Sequence, residues 1–151
     1  MEIIVAAVGR AKSGPEREIC DAYAGRLATP VKLKEVEERR RLPAAERRAS
    51  EGKKLLDALP AKGFVVALDR TGRVLSSDGL ARKVGQWMDA GHSSLAFVVG
   101  GADGLDGAVL DRADFKLSLG ALTLPHLLAR AVLMEQLYRA QCIRTGHPYH
   151  K

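Results

Sequence analysis

The sequence predicts a single α/β domain, residues 1–151, with a mostly parallel sheet of about five strands. Short apolar runs alternate with helical segments along the whole chain, which is the pattern of a sheet covered by helices. Several of these runs are apolar without interruption, as expected of strands that are covered on both faces. The 151 residues show no internal repeat and no linker, so one domain accounts for the chain.

The first three predicted elements are a strand, a helix and a strand. Residues 2–8 form a continuous apolar run that ends at a glycine. Residues 13–16, Ser-Gly-Pro-Glu, match a capping box with proline in the first turn, so a helix is predicted to begin there and to end near residue 28. Residues 31–36 follow a proline and predict the second strand.

The middle of the chain predicts two helices around a third strand. The first helix covers residues 43–59, and the buried strand covers residues 64–69. Residues 70–73, Arg-Thr-Gly-Arg, are typical of a turn. The second helix covers residues 76–90, because a serine precedes it as a favourable N-cap and a glycine follows its last residue.

The last part of the chain predicts two strands, over residues 94–99 and 114–119, with a short helix between them that ends near residue 111. The final helix, residues 125–143, is apolar around nearly its whole circumference. Such a helix must be buried on more than one side. We therefore expect one side to pack on the sheet and another on a second copy of the protein, in a symmetric dimer.

The segment that joins the last strand to the last helix is unusually apolar. Residues 119–124, Leu-Gly-Ala-Leu-Thr-Leu, are called the apolar loop below. A surface loop is normally polar, so we expect this one to be buried, with specific partners for its N–H and C=O groups. A bound ligand and a tightly packed turn both remain open as the source of those partners.

Composition argues against a membrane protein and against a metal site. No segment approaches the ~18 uncharged apolar residues of a membrane span, and the N-terminus resembles a strand rather than a signal peptide. Cys20 and Cys142 show no metal-ligand spacing, so we expect no metal and two structural thiols in a reducing compartment. The predicted location is the cytoplasm.

The net charge of +6 is concentrated at the two ends of the chain. Residues 1–62 carry 14 basic and 10 acidic side chains, residues 63–124 carry 6 and 7, and residues 125–151 carry 4 and 1. Residues 39–48 alone contain five arginines. This stretch predicts either a solvated surface or contacts with RNA phosphates, and both interpretations stay open.

Three predicted strands end at features that suit ligand binding. Ligands of open α/β sheets bind at the carboxyl ends of strands, and here these ends carry Leu68, the glycine loop (residues 100–104, Gly-Gly-Ala-Asp-Gly) and the apolar loop. The glycine loop matches neither G-x-G-x-x-G nor the lysine-containing P-loop, which argues against a nicotinamide or nucleoside triphosphate site. The uncharged surroundings suit an adenine-like, mostly apolar ligand.

The sequence contains no G-x-S-x-G motif and no convincing Ser/His/Asp set for nucleophilic catalysis. His126 begins the final helix, where the helix dipole disfavours its imidazolium, so it is either a neutral base or a structural histidine. Tyr149 and His150 lie among the last eight residues. This segment is either disordered or used for base stacking and phosphate binding.

Four stretches of the chain match one known family. They are residues 98–105 (VVGGADGL), 117–126 (LSLGALTLPH), 135–140 (EQLYRA) and 147–151 (HPYHK). Together they closely resemble the RlmH family, SPOUT-class methyltransferases that act on a pseudouridine of bacterial 23S ribosomal RNA, and the resemblance covers essentially the full length. Ala102 and Asp103 stand where relatives often have Pro-Glu, which leaves Asp103 without an assigned role.

The resemblance implies a SPOUT-type α/β knot, a mostly parallel sheet whose C-terminal segment forms a deep trefoil knot, a rare topology. It implies S-adenosylmethionine (SAM) as the cofactor, bound in the knot. It also implies a homodimer that methylates N3 of a pseudouridine in a stem-loop of 23S rRNA, at the subunit interface of the assembled ribosome. The cofactor-binding residues carried over by position are Leu68, Gly100, Leu119, Gly120, Ala121, Leu122, Thr123 and Leu124.

In-line methyl transfer from sulfonium to nitrogen requires the enzyme mainly to position N3 opposite the methyl group and to manage the N3 proton. Our hypothesis is that Tyr149 and His150 arrive from the tail of the partner subunit and hold the flipped base. Arg139 and His126 would orient the base or help to accept the proton.

Two other interpretations stay open. A dimeric RNA-binding or ribosome-assembly protein would keep the fold without the chemistry, although the intact glycine loop and the Tyr149-His150 pair make this less favourable. A SPOUT methyltransferase for transfer RNA would instead methylate deproteinised tRNA.

Overall fold

The computed structural model describes residues 1–151 and contains one sheet of five parallel strands. The strands are β1 (Glu2–Val8), β2 (Val31–Val36), β3 (Phe64–Val74), β4 (Ser94–Val99) and β5 (Phe115–Ser118). Their order across the sheet is β2-β1-β4-β3-β5. The predicted α/β domain with a parallel sheet is therefore confirmed.

Helices cover both faces of this sheet and make a three-layer domain. The helices are α1 (Pro15–Arg26), α2 (Ala44–Ala58), α3 (Ser77–Asp89), α4 (Gly107–Arg112) and α5 (His126–Thr145). One hydrophobic core lies between the sheet and α1, α3 and α5, and a smaller core lies between the sheet and α2 and α4. Successive residues of β1 point to opposite faces, so Val5 belongs to the larger core and Ala6 to the smaller one.

The apolar final helix is buried mostly within its own chain. α5 packs between α1 and α3 and against β4, and it ends at Gly146, which adopts the left-handed conformation with φ 75°. The prediction that α5 is buried on more than one side is thus confirmed. Two neighbouring helices, together with the sheet, account for most of its apolar circumference, and the dimer stays a prediction.

The structure confirms the two boundary signals predicted for α3 and contradicts the one predicted for the start of α1. The Ser76 hydroxyl accepts a hydrogen bond from the Gly79 N–H at 3.0 Å, and Gly91 has φ 83° directly after α3. The predicted capping box is wrong, because α1 begins at Pro15 with Gly14 as an N-cap that offers no side chain. Proline can start a helix without this cap, since its φ is already helical.

The turn predicted at residues 70–73 is wrong, because β3 continues through it to Val74. Leu68 and Arg73 both pair with Leu117 of β5, with an irregularity between them. A Cβ on Gly72 would lie 2.6 Å from the carbonyl carbon of Lys116, so the β3 backbone lies directly against that of β5 at this point. This close approach requires glycine, and the trefoil knot itself stays a prediction.

Two features bear on membrane and metal binding. None of the five helices is both long and apolar enough to cross a membrane. No group of three or more His, Cys, Asp or Glu side chains is arranged to hold a metal ion. Cys20 and Cys142 are both buried and unpaired, as expected of structural thiols.

Candidate active site

The carboxyl ends of β4, β3 and β5 lie side by side. β3 is the neighbour of both β4 and β5, since Ala67 pairs with Val98 and Leu68 pairs with Leu117. Gly100 follows the last residue of β4, and the apolar loop follows β5. The sheet therefore brings Leu68, the glycine loop and the apolar loop to one edge, as the strand order requires.

The glycine loop is closed tightly on itself. Gly101 and Gly104 form an antiparallel bridge, in which the Gly104 N–H donates to the Gly101 carbonyl at 3.1 Å. A Cβ on Gly100 would lie 2.9 Å from the carbonyl carbon of Gly104, and Gly104 itself has φ 79°. Both positions require glycine, because a side chain at Gly100 would meet backbone and Gly104 adopts a left-handed conformation.

The apolar loop is more exposed than expected. Ala121, Leu122 and Thr123 are exposed, and 84% of Leu122 is accessible. The expectation of burial is therefore wrong for the tip of the loop. Gly120 has φ 120°, and its N–H and C=O both bond to the Ser118 hydroxyl at 3.2 Å, so only the base of the loop is held by a local partner.

This arrangement fits a ligand such as SAM, whose adenosine part is mostly apolar. Residues 119–124 offer exposed apolar side chains and uncharged backbone at the same edge of the sheet as Gly100. No residue of the apolar loop carries a charge. Such a surface can accept an adenine-like group through apolar contact and a few backbone hydrogen bonds.

His126 lies at the same edge of the molecule as these loops. A Cβ on Gly9, directly after β1, would come within 3.0 Å of the His126 Nε2 atom. Pro125 is the N-cap of α5 and provides no side-chain hydrogen bond, so His126 stands in the first turn of a helix with free N–H groups.

Arg139, Tyr149 and His150 come together at a second place, on the surface of α5. The C-terminal tail, residues 146–151, folds back along its own helix. The Arg139 guanidinium carbon lies 4.7 Å from the centre of the Tyr149 ring, and Arg139 Nη1 lies 3.1 Å from His150 Nδ1. His150 Nε2 faces the Asp78 carboxylate at 3.5 Å.

Glu135 holds this second group together, and the sequence analysis gave it no role. Its Oε1 accepts hydrogen bonds from Arg139 Nη2 at 2.6 Å and from the Tyr149 hydroxyl at 2.8 Å. Because the Tyr149 hydroxyl donates its proton to Glu135, the Tyr149 oxygen accepts a hydrogen bond from the Tyr23 hydroxyl, 3.1 Å away. The spacing of Glu135 and Arg139, i and i+4 on a helix, was the sequence signal for their ion pair. No sequence signal indicated the contact between Tyr149 and Tyr23.

These contacts fix the charge states of two candidate residues. Hydrogen bonding to Tyr23, burial and the Glu135 carboxylate raise the pKa of Tyr149 far above its ordinary value near 10. The hydrogen bond to Glu135 likewise raises the pKa of Arg139. In this arrangement Tyr149 is a neutral hydrogen-bond donor and Arg139 a permanent cation, and neither is suited to accept a proton.

The structure does not bring His126 together with the other three candidate residues in one chain. Arg139 follows His126 by 13 positions on α5, which corresponds to ~20 Å along the helix axis. His126 belongs with the two loops at the sheet edge, and the tail group lies at the other end of the helix. A site that uses all four residues needs groups from two chains.

Comparison with known proteins shows which family the chain resembles over its length. A family model described as predicted SPOUT methyltransferase matches residues 1–150. The chain is 52% identical to ribosomal RNA large subunit methyltransferase H of Rhodospirillum rubrum and 48% identical to that of Rhodospirillum centenum, and in each pair the match covers 100% of this chain and 99% of the relative.

Solved structures show the same fold at low sequence identity. A probable methylase family protein from Haemophilus influenzae superposes with a TM-score of 0.60 at 17% identity, over 99% of this chain and 70% of the other. A Legionella pneumophila protein solved with bound SAM gives a TM-score of 0.51 at 13% identity, over 93% and 66%. With its full-length match to the family model and to these relatives, the chain belongs to the SPOUT methyltransferase family.

Proposed function

We propose that this protein transfers a methyl group from SAM to N3 of a pseudouridine in 23S rRNA, in the interface stem-loop of the assembled ribosome. The observation that carries the proposal is the full-length similarity, at 52% identity, to a ribosomal RNA large subunit methyltransferase H. The protein would act as a homodimer in the bacterial cytoplasm.

The proposed cofactor site is the edge where β3, β4 and β5 end. Leu68, Gly100 and residues 119–124 would hold SAM, which supplies a methyl group already activated by the sulfonium. The tightly closed backbone of the glycine loop and the exposed apolar side chain of Leu122 at the same edge of the sheet support this assignment. The chain's own task is then to exclude water, to orient the target base and to remove its N3 proton.

The tail group supplies donors that suit the target base. Arg139 keeps its proton and has N–H groups beyond those that contact Glu135 and His150, so it would hold and orient a carbonyl oxygen of the base. Tyr149, whose proton goes to Glu135, would keep the Arg139 guanidinium in place. Arg139 is a donor only, so the His150 nitrogen that it contacts, Nδ1, must act as the acceptor there. The remaining candidate is His126, which has a ring nitrogen that can act as an acceptor, and we assign it as the group that accepts the N3 proton.

A second copy of the chain would complete this site. His126 and Arg139 are ~20 Å apart on one helix, so the tail that meets His126 has to come from a partner. Two large apolar side chains on the packed helices α1 and α5, Ile19 and Leu128, are each 39% exposed in the single chain. They support a dimer contact that includes these two helices.

A transfer assay tests the proposal directly. SAM with a labelled methyl group is incubated with the protein and with unmodified bacterial ribosomes, with free large subunits and tRNA in parallel reactions. We expect label on a pseudouridine of 23S rRNA, with assembled ribosomes preferred over free subunits. Label on tRNA alone would overturn the substrate, and ribosome binding without any label would favour an assembly protein.

A further inference from the structure

The side chain of Glu51 is buried beneath the glycine loop and takes no part in the site described above. Glu51 lies on α2 and is only 6% exposed. Its Oε1 atom has no hydrogen-bond partner. Burial of an unpaired carboxyl group costs free energy, and such a group in a folded protein requires an explanation.

The other carboxyl oxygen of Glu51 supports the glycine loop from below. A Cβ on Gly101 would lie 3.2 Å from Glu51 Oε2 and 3.0 Å from Val8 Cγ1. The Glu51 carboxyl and the end of β1 therefore pack together against the same face of Gly101. Replacing either contact would leave Gly101 free to move.

Two further side chains of α2 hold the same loop at Asp103. Arg47 Nη1 lies 3.6 Å from the Asp103 carboxylate, and Arg48 Nη1 donates to the Asp103 carbonyl at 3.4 Å. Together with Glu51 they occupy positions i, i+1 and i+4 of one helix. Asp103, which the sequence analysis left without a role, is thus the residue through which the two arginines bind the glycine loop to α2.

α2 packs closely against the residue that precedes α4. A Cβ on Gly52 would lie 2.8 Å from the Asp106 Cβ, so α2 approaches the start of α4 as closely as glycine allows. Burial raises the pKa of Glu51, the neighbouring Asp103 raises it further, and Arg47 opposes both.

We propose that Glu51 is a positioning residue for cofactor binding. Its buried carboxyl packs against Gly101 and thereby holds the glycine loop in the conformation that SAM binding requires. The inference rests on the proposed assignment of this loop to SAM. Glu51 acts through the loop backbone and does not contact the cofactor in this scheme. Its loss should therefore weaken cofactor binding while the fold is kept.

The test is a calorimetric titration of SAM into the full-length protein and its variants. E51A removes the support, E51D withdraws the carboxyl by one methylene, and E51Q keeps the shape without charge. E46Q, at an exposed position in the first turn of the same helix, is the matched control. Deuterium exchange at residues 100–104 is measured in parallel, at a temperature where every variant is folded by circular dichroism.

We expect E51A and E51D to weaken SAM binding about tenfold and to accelerate exchange selectively in residues 100–104, whereas E51Q and E46Q stay close to the parent protein. If E51A does not fold, E51D and E51Q still decide the question. Unchanged affinity and unchanged loop exchange in E51D would overturn the inference alone. A parent protein that binds no SAM would instead overturn the cofactor assignment on which the inference rests.

Discussion

At the scale of single residues, Glu135 controls the geometry of the tail group. It accepts hydrogen bonds from both Arg139 and Tyr149, so Glu135→Gln should release both side chains. Hydrogen bonds to a charged group are worth about 1.5–3 kcal/mol each, and we expect a loss of stability within that range, because the site is partly solvated. The methyl-transfer rate in single turnover should fall about 10- to 100-fold. Arg144→Gln, exposed on the same helix, is the control, and an equal rate in both variants would contradict the role of Glu135.

The tail residues give a second prediction at this scale. Tyr149→Phe removes the donor that points at Glu135, and His150→Ala removes the ring that lies between Arg139 and Asp78. Each change should lower kcat about tenfold or more, because it disturbs the orientation of the base, and should leave the Kd of SAM unchanged. The exposed Lys151→Ala is the control. Turnover that is normal in both tail variants would remove the tail from the site.

The sequence allowed the arrangement of the strand ends to be predicted more fully than the contacts of the tail. A parallel sheet brings strand ends to one edge, so Leu68, Gly100 and the apolar loop could be grouped from strand assignments alone. The pairing of Tyr149 with Tyr23 joins residues 126 positions apart and depends on the direction that the chain takes after Gly146. Nothing local in the sequence specifies that direction.

At the scale of elements, Arg130 joins α5 to the ends of β1 and β2. It is 1% exposed, donates to the carbonyls of Val8 and Gly9, and forms an ion pair with Glu35 at 2.7 Å. Although burial disfavours the ionised carboxyl, the Ala11 N–H and Arg130 outweigh burial and lower the pKa of Glu35. The pair therefore stabilises the fold above the unfolded pKa of Glu35, and this contribution is lost as the pH falls through the folded pKa.

Replacing Arg130 with methionine should expose this dependence. Breaking a buried ion pair costs about 3–5 kcal/mol, so the free energy of unfolding should drop by that amount near neutral pH. The difference from the parent protein should shrink as the pH falls through the lowered pKa of Glu35 in the folded parent, because the ion pair is lost once that carboxyl is protonated. Urea unfolding from acid to neutral pH measures it. Lys32→Met, which breaks an exposed pair with Glu2, should cost about 0–1 kcal/mol, and a pH-independent loss in Arg130→Met would contradict the account.

The close approach of β3 to β5 at Gly72 gives a further prediction at this scale. Because a Cβ on Gly72 would meet the Lys116 backbone at 2.6 Å, Gly72→Ala should destabilise the protein by about 1–3 kcal/mol. Gly25→Ala, in open space on α1, should instead stabilise it by up to about 1 kcal/mol. Thermal unfolding of both variants measures the contrast. A tolerated alanine at position 72 would show that the two strands are not in backbone contact there.

The same contact shows why the extension of β3 to Val74 could not be predicted from the sequence. Arg-Thr-Gly-Arg has turn composition, and Asp69 does accept a hydrogen bond from the Thr71 N–H at 3.1 Å, as it would in a turn. The segment extends as a strand only because β5, more than 40 positions later, lies against it. Tertiary contact has overridden a correct local signal.

At the scale of the whole molecule, the final helix shows how far composition alone can be taken. Its apolar circumference correctly indicated burial on several sides, but α1, α3 and the sheet provide most of that burial within one chain. The case for a dimer rests instead on exposed Ile19 and Leu128 and on the separation of His126 from the tail. A burial pattern predicts how much surface must be covered, and only the fold decides which element covers it.

The basic stretch after β2 lies at the same edge of the sheet as the candidate site, and its three consecutive arginines differ in their partners. Arg40 is committed to Glu38 through two nitrogens, at 2.9 and 3.1 Å. Arg39 has only a loose ion pair with Glu37 at 3.6 Å, and Arg41 is exposed without an ion pair.

If these residues bind rRNA phosphates, Arg39→Ala and Arg41→Ala should each reduce the slope of the logarithm of the ribosome-binding constant against the logarithm of the salt concentration by about 0.7–0.9. Arg40→Ala should change the slope less, because Glu38 already compensates its charge. Ribosome binding measured between about 50 and 200 mM salt decides the point, and a slope that is unchanged in all three variants would separate the basic stretch from the RNA.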